Sequence, residues 1–277
     1  MFAACADPKA IEGLTWALCY LTSGKHLDFY WSFLVVLALL AITAPAALAF
    51  GFGGATAARS GFLPARWLGK VYIAMVRGVP DIIFFLFFVI ALDQAVEWTK
   101  HQIVCPDAKV PHSSSAAIWH QAYGFFLAAM TFALVVGAFV ANVLYGAMQA
   151  VPRAELETGE AYGMSSAQVF RRILVPQMWV YALPGLSNLW MILIKATPLL
   201  FLLGIKDVVF YARELGSTKT QVFDYPHGDW RLYYFLGLLV FYLALTRLSE
   251  IVLNRLSSRI SRGQATAAGD ALRRAGA

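Results

Sequence analysis

The chain has 277 residues, of which 60% are hydrophobic and only 14% are charged. A soluble protein of this length needs more charge to cover its surface, so this balance indicates a polytopic membrane protein. The net charge of +6 does not indicate nucleic-acid binding, because the basic residues lie between apolar runs and form no stripe with stacking aromatic residues. We therefore expect an all-α protein whose main partner is the lipid bilayer.

Residues 1–28 precede the first long apolar run and form a separate N-terminal segment. Its apolar part, residues 10–21, is too short to cross a bilayer. No basic start precedes it and no small-residue cleavage site follows, so we do not predict a signal peptide. We expect an interfacial helix on the outer leaflet instead.

Three cysteines are present, at positions 5, 19 and 105, and they lack the spacing of a metal site. If Cys105 faces an oxidising compartment it could pair with Cys5 or Cys19, and the sequence does not decide between them. No nucleophile–base pair and no Gly-rich phosphate loop occurs along the chain. We therefore predict no catalytic residue, no bound metal and no cofactor in this protein.

Five apolar runs are long enough to cross a bilayer, since a helix needs about 20 apolar residues to do so. The runs cover residues 29–52, 67–95, 123–148, 178–205 and 232–253. Together they form a transmembrane domain of residues 29–255. The composition of residues 256–277, rich in Ala, Gly, Ser and Arg, predicts a disordered tail.

Basic residues indicate which side of the membrane each loop occupies. Lys and Arg are in excess after the first and third runs and in the C-terminal tail, whereas acidic residues balance them elsewhere. By the positive-inside rule, the C-terminus is expected in the cytoplasm and the N-terminus in the periplasm. The segment between the third and fourth runs is then cytoplasmic as well.

The second run is interrupted by the sequence Arg-Gly-Val-Pro-Asp at residues 77–81. Pro80 cannot donate a backbone hydrogen bond, so the span should bend or restart there. Asp81 then falls in a new first turn, where negative charge is favourable. Arg77 is spaced to pair with Asp81, and the segment is either a gate or hinge near the cytoplasmic mouth or a structural kink.

The segment between the third and fourth runs carries its own helix start and stop signals. Pro152 suits a first helical turn, and Gly163 suits the left-handed position after a helix end. Ser165 and Gln168 have the spacing of a capping box. Pro176 separates the segment from the next run. We predict two short helices in water, joined by a glycine turn.

This segment resembles the EAA loop of ABC importer permeases. Glu157 occupies the leading Glu position, Gly163 the Gly position, and Ile173 and Pro176 the closing Ile-x-Leu-Pro motif. Further motifs resemble the polar amino-acid subfamily, in particular the Q-type permeases of histidine/lysine/arginine/ornithine and opine importers. These motifs lie at residues 77–81, 181–185, 188, 195–197 and 204–209.

The chain departs from the family pattern at the start of the EAA loop. Thr158 and Gly159 replace the two alanines that follow the Glu. A glycine inside a helix costs about 1 kcal/mol relative to alanine, so we expect the first helix to be weak or kinked. Asn142 stands where the family has a charged residue, and Pro198 where it has Ser or Thr.

The resemblance implies a type I ABC importer permease fold in a bacterial inner membrane. It implies that residues 152–176 form a coupling loop on a separate dimeric ATPase, which binds ATP and Mg. The coupling residues would be Glu157, Gly163, Arg171 and Arg172. Other implied partners are a second, homologous permease, preferably a different chain and not a second copy, and a periplasmic amino-acid-binding protein. The alternative for the loop is a solvated connector.

Polar residues on the fourth span are candidates for the substrate pathway. Asn188 and Lys195 are seven residues apart and share a helix face, and Thr197 follows. A lysine inside a span costs about 2.5–3.5 kcal/mol unless it faces protein or water, and an amino-acid carboxylate would offset that cost. Alternatively Lys195 snorkels to the interface or pairs with an acid on a neighbouring span. Asn142 on the third span either faces the same pathway or bonds between helices.

A membrane scaffold or an ion-coupled secondary transporter is the alternative function. An ion-coupled carrier needs buried carboxylates on its spans, and the first, third and fourth apolar runs contain no Asp or Glu. A scaffold has no use for a lysine such as Lys195 within a span. The sequence therefore favours the importer.

Overall fold

A computed structural model describes residues 5, 11–75, 80–104, 117–203 and 205–260. The predictions for Arg77, for Cys105 and for most of the tail lie outside these residues. The regular secondary structure within them is helical, apart from one isolated β-bridge between Lys219 and His227.

Ten α-helices follow one another along the described part of the chain. They are α1 Gly13–Leu21, α2 Gly24–Arg59, α3 Leu63–Met75, α4 Asp81–Val104, α5 Ala117–Ala150, α6 Arg153–Ala161, α7 Ser166–Val169, α8 Val175–Ala196, α9 Val208–Gly216 and α10 Arg231–Ile260. A π-helical turn, Phe170–Leu174, joins α7 to α8, and a 3₁₀ helix, Thr197–Leu203, follows α8.

Five stretches are long and apolar enough to cross a membrane, which confirms the predicted number of spans. They are Gly24–Arg59, Ile82–Ile103, Ala122–Ala150, Ser166–Leu200 and Arg231–Ile260. The restart predicted in the second run is also confirmed, because Pro80 is not helical and α4 begins at Asp81. The tail boundary at residue 256 is wrong, since α10 continues to Ile260.

The fourth span has no separate start, contrary to the prediction that Pro176 ends the preceding helix. Helical structure runs without interruption from Ser166 to Leu200. The π-helical turn ends at Leu174, and Pro176 lies in the first turn of α8. The hydrogen-bond register changes at this turn, which accommodates the N–H that proline lacks. The second helix of the polar hairpin is therefore the same rod as span four.

Glycines allow α2, α3 and α5 to pack closely. A Cβ atom at Gly51 would overlap a side chain of α5, one at Gly54 would overlap Tyr72 of α3, and one at Gly69 would overlap the backbone of α2. The Tyr72 hydroxyl donates to the Leu134 carbonyl of α5 at 2.6 Å. Small residues at helix contacts are typical of membrane bundles, where close packing replaces the hydrophobic effect.

Two buried clusters lie towards opposite ends of the bundle. The first joins α2, α4, α5, the end of α8, α9 and α10 around Leu39, Phe132, Leu200 and Val208. The second joins α2, α5, α8 and the polar hairpin around Leu144, Met148, Leu174 and Met178. The second cluster fixes the hairpin to the membrane helices.

The N-terminal segment is held by a disulfide between Cys5 and Cys19. The sequence left open whether Cys105 pairs with Cys5 or with Cys19. In the structure Cys5 and Cys19 pair with each other, so neither is available to Cys105. Trp16 packs edge-on against Trp230 at 6.0 Å between ring centroids. Leu14 and Leu18 point outward from α1, with 77% and 55% of their surface exposed. The interfacial position of α1 remains a prediction, and this exposed leucine face is compatible with it.

A chain of hydrogen bonds joins α1, α2, α10 and the loop before α10. Ser23 Oγ bonds His26 Nδ1 at 3.0 Å, and His26 Nε2 bonds the Tyr234 hydroxyl at 2.7 Å. Tyr234 donates to the Tyr20 hydroxyl at 3.3 Å, and Tyr20 bonds His227 Nε2 at 2.9 Å. We call these five residues the N-terminal cluster.

Candidate coupling hairpin and translocation face

The coupling hairpin, residues 152–176, turns at Gly163, which has a φ of +80°. Gly163 N–H donates to the Glu160 carbonyl at 2.8 Å, and Met164 N–H donates to the Gly159 carbonyl at 3.1 Å. These two bonds form a Schellman motif, which requires a left-handed residue that glycine adopts without steric cost. The predicted role of Gly163 as the helix stop is confirmed.

The second hairpin helix begins with the predicted capping box. The Ser165 backbone N–H donates to Gln168 Oε1 at 2.8 Å. Pro152 is the residue before α6 and not its first helical residue, a difference of one position. Glu155 in the first turn of α6 is favourable for the helix dipole. Local sequence thus determines both helices of the hairpin.

Gly159 has a packing role that the sequence did not reveal. It is buried on α6, and a Cβ atom there would overlap Ile173 Cδ1 and lie 3.2 Å from Val169 Cγ2. α6 is continuous through this glycine, from Arg153 to Ala161, and the expectation of a weak or kinked helix stays a prediction. The glycine lets α6 lie directly against the π-helical turn.

The charged candidate residues of the hairpin face outward. Glu157, Arg171 and Arg172 are exposed. None of the three forms a salt bridge with another described residue. Beneath them, Val169 and Leu174 are buried, with 6% and 2% of their surface exposed. The hairpin therefore presents exposed charges above a buried apolar base, an arrangement suited to docking.

Asn188 and Lys195 lie on the exposed face of α8, as their spacing predicts. We call this the translocation face. Lys195 is in the last turn of α8, where the helix dipole favours a cation. No ion pair to Lys195 is present within the described residues. The geometry leaves its ammonium group available to a ligand or to a partner chain.

Thr197 does not belong to the translocation face, contrary to expectation. Its side chain is fully buried. The hydroxyl donates to the Ile194 carbonyl at 3.0 Å and bonds the Tyr242 hydroxyl at 2.9 Å. The residue begins the 3₁₀ helix and links span four to α10. Thr197 therefore does not share the exposed face of Asn188 and Lys195.

Asn142 lies on α5 beside the contact with α8. It is half-buried. Its neighbour Val143 packs against Gly185, where a Cβ atom would approach Val143 Cγ1 to 2.7 Å. Both readings of Asn142, pathway residue and bond between helices, are compatible with this position.

The predicted gate is described only in part. The Pro80 carbonyl accepts the Phe84 N–H at 3.1 Å, so the proline starts α4, as expected of a residue without an N–H. Asp81 is the first residue of that helix. A gating role for Pro80 and Asp81 stays a prediction.

Asp207 is a buried carboxylate that the sequence analysis missed. It is fully buried before α9, and its Oδ1 accepts the Phe210 N–H at 2.9 Å. Oδ2 has no hydrogen-bond partner among the described residues. Burial raises the pKa of Asp207 to about 6 from its usual 3.8. An Asp directly before the apolar run Val208–Phe210 is typical of a helix N-cap, so this pattern could have predicted the capping role of Asp207.

We expect Asp207 to make stability depend on pH. Because its pKa is raised on folding, the folded state binds the proton more tightly, and stability falls as the pH rises from about 4 to about 6. The difference in pKa corresponds to about 3 kcal/mol. Asp207→Asn keeps the cap without the charge, so it should raise the melting temperature at pH 7.5 and flatten its dependence on pH.

Thermal unfolding in nanodiscs at pH 4.5, 6 and 7.5 tests this expectation. Asp224→Asn is the matched control, because Asp224 is exposed in the loop between α9 and α10. An Asp207→Asn protein with the same pH dependence as the parent would show that this carboxylate carries no such penalty.

Five membrane-length helices with a charged helical hairpin are the architecture expected of a transmembrane permease. The family described as "Binding-protein-dependent transport system inner membrane component" matches residues 49–262, and the chain belongs to this family. It is a multi-pass inner-membrane permease of the ABC importer class. The suspected resemblance and the predicted fold class are confirmed. The family match favours the importer over the alternative of a secondary transporter or a membrane scaffold.

Curated relatives cover most of the chain. It is 28% identical to the arginine ABC transporter permease protein ArtQ of Escherichia coli K12, over 82% of this chain and 92% of ArtQ. It is 31% identical to the histidine/lysine/arginine/ornithine permease protein HisQ of Salmonella typhimurium, over 83% and 92% of the two chains. It is 29% identical to the octopine permease protein OccQ of Agrobacterium tumefaciens, over 78% and 83%.

Two solved structures share the fold. A crystal structure of an amino acid ABC transporter with histidines matches with a TM-score of 0.62 and 19% identity, over 83% of this chain and 93% of that one. An inward-facing structure of the MetNI methionine ABC transporter matches with a TM-score of 0.56 and 15% identity, over 85% and 96%. At these identities the likeness establishes the fold.

Proposed function

We propose that this permease imports polar amino acids, with basic amino acids or opine-like conjugates as the favoured cargo. The relatives named above support this cargo class, because they are permeases for arginine, for histidine, lysine, arginine and ornithine, and for octopine. The chain forms half of the translocation pathway. Lys195 and Asn188 on α8 meet the substrate, and the Lys195 ammonium group binds its carboxylate.

The coupling hairpin docks on a separate dimeric ATPase, which binds ATP and Mg. The observation that carries this proposal is the unbroken helical rod from Ser166 to Leu200. At 1.5 Å per residue this rod is about 52 Å long, enough to cross the membrane from the hairpin to the translocation face. Closure of the ATPase dimer displaces the hairpin, and the rod carries this displacement to the Lys195 end.

The residues of the hairpin have different roles in coupling. Glu157, Arg171 and Arg172 supply exposed charges for the contact with the ATPase. Gly163 sets the turn that presents them. Because ATP hydrolysis takes place on the partner, this chain needs no catalytic residue of its own.

The remaining partners follow from the same proposal. A second, homologous permease completes the pathway, and a different chain is preferred over a second copy. A periplasmic amino-acid-binding protein delivers the substrate. The C-terminus and the hairpin are cytoplasmic and the N-terminus is periplasmic. The Cys5–Cys19 disulfide supports this orientation, because disulfides persist in oxidising compartments.

Co-purification tests the docking proposal. We expect the ATPase to be recovered with the permease in mild detergent, and deletion of residues 154–172 to reduce that recovery at least about tenfold, since the charged contact is removed. Glu157→Arg should have a smaller effect in the same direction. Membrane insertion, measured by fractionation, should not change.

Glu250→Arg on α10 is the matched control for Glu157→Arg, because Glu250 carries the same charge away from the hairpin. If the ATPase is recovered normally with the deleted protein, the hairpin is a connector and the docking proposal is wrong.

A further inference from the structure

Two clefts lie on either side of Phe170, where the coupling hairpin meets α2. One has a volume of about 430 Å³ and is lined in part by Thr56, Arg59, Ser60 and Glu160. The other has a volume of about 460 Å³, and its lining is mainly apolar. The apolar cleft is lined by Phe52, Ala167, Phe170, Arg171 and Val175. The first cleft is lined by both polar and apolar residues, and we call it the polar cleft because it contains Arg59 and Glu160. It shares Phe170 with the apolar cleft.

The two clefts lie at the depth of the lipid headgroups. Trp31 is an exposed aromatic residue of the kind that marks one membrane interface. Phe52 is 21 residues further along α2, which is about 32 Å and matches the roughly 30 Å of a hydrocarbon core. Phe52 therefore lies at the edge of the acyl chains. Thr56 and Arg59 lie one and two helical turns beyond it, among the headgroups.

The polar cleft contains both a cation and an anion. Arg59 Nη1 donates to the Met148 carbonyl at 3.2 Å, which orients the guanidinium group and leaves other N–H donors for a ligand. Glu160 lines the same cleft. Neither side chain forms a salt bridge with another described residue. A guanidinium group binds phosphate well, whereas a simple anion here would be repelled by Glu160.

A ligand that satisfies both charges carries an anionic group, such as a phosphate, together with an amine. The adjacent apolar cleft accommodates a hydrocarbon chain. We propose that the clefts bind one zwitterionic phospholipid with a primary amine in its headgroup, such as phosphatidylethanolamine. Its phosphate contacts Arg59, its ammonium group contacts Glu160, and an acyl chain passes Phe170 to lie against Phe52 and Val175. The site depends on the membrane-spanning fold and not on ATPase docking.

Such a lipid would bridge α2 and the coupling hairpin. The hairpin already contacts the membrane helices through the second buried cluster. Phe52 of α2 already lies beside Phe170, with 6.5 Å between the ring centroids. A bound lipid adds a further contact between α2 and the hairpin, so it favours the hairpin position seen in this structure. The lipid composition of the leaflet therefore influences where the hairpin rests.

Native mass spectrometry on the purified transporter tests the proposal. The complex is released from nanodiscs containing equal amounts of phosphatidylethanolamine and phosphatidylglycerol, and the retained lipids are counted. We expect at least about a fivefold preference for phosphatidylethanolamine. Arg59→Gln should lower the retention of both lipids, because both carry a phosphate. Glu160→Gln should abolish the preference, because the ammonium group loses its partner.

Matched controls separate the site from general effects of charge. Arg255→Gln and Glu250→Gln remove the same charges from α10, outside the clefts, and should change neither retention nor preference. Ala167→Phe fills the apolar cleft and should reduce retention without altering either charge. Equal retention of the two lipids by the parent protein, or parental behaviour of both Arg59→Gln and Glu160→Gln, overturns the proposal. Release of the lipid by millimolar L-arginine would assign the site to a soluble zwitterion and overturn it too.

Discussion

Replacing Gly159 with leucine is expected to reduce amino-acid uptake at least about tenfold while the protein still inserts into the membrane. Any side chain at this position must displace Ile173, because a Cβ atom already overlaps Ile173 Cδ1. Leucine is a better helix former than glycine, so a loss of uptake cannot come from helix propensity. It would come from separation of α6 from the π-helical turn. Uptake of labelled substrate by proteoliposomes, with the ATPase supplied, measures the effect.

A second substitution makes the steric origin testable. Ile173→Ala in the Gly159→Leu protein returns the lost space and should restore most of the uptake. Gly237→Leu on α10 is the matched control, because a Cβ atom there meets no other atom within 4 Å. If the double variant is as inactive as Gly159→Leu alone, the close contact between the two hairpin helices is not the cause.

Lys195→Met is expected to lower uptake at least about tenfold without loss of the ATPase from the complex. The ammonium group is exposed at the end of α8 and has no salt bridge within the described residues. Methionine keeps the length of the side chain and removes the charge that would bind a carboxylate. The same proteoliposome assay, combined with co-purification, separates transport from assembly.

Lys206→Met provides the matched control, since Lys206 is also exposed but lies beyond the end of span four. Lys195→Arg keeps a cation and should retain more uptake than Lys195→Met. Normal uptake by Lys195→Met would mean that the lysine only snorkels to the membrane interface, and Asn188 would then be the remaining candidate on this face.

Local signals account for what the sequence predicted correctly. The spans follow from long apolar runs, and a helix in a bilayer has few other options. Gly163, Ser165 and Gln168 act within a few residues of their own positions, so their roles could be predicted without knowledge of the fold. The break before Asp81 follows in the same way from the missing N–H of Pro80.

Contacts between distant segments account for what the sequence did not predict. The need for a glycine at position 159 comes from its close contact with Ile173, which lies fourteen positions later, across the turn of the hairpin. Periodicity correctly placed Asn188 and Lys195 together, but the change to a 3₁₀ helix turns Thr197 inward, towards Tyr242. The continuity of span four through Pro176 depends on a π-helical turn, which has no reliable sequence pattern.

The N-terminal cluster has a consequence for how the molecule can move. Its hydrogen bonds tie Tyr20 and Ser23 near the start of the chain to His227 and Tyr234 more than 200 residues later, with His26 of the first span between them. These segments form one block on the side of the membrane opposite the coupling hairpin. Separating these segments would leave several polar groups without their hydrogen-bond partners. When the pathway opens on that side, we therefore expect the block to move as a unit and the opening to form between it and its neighbours.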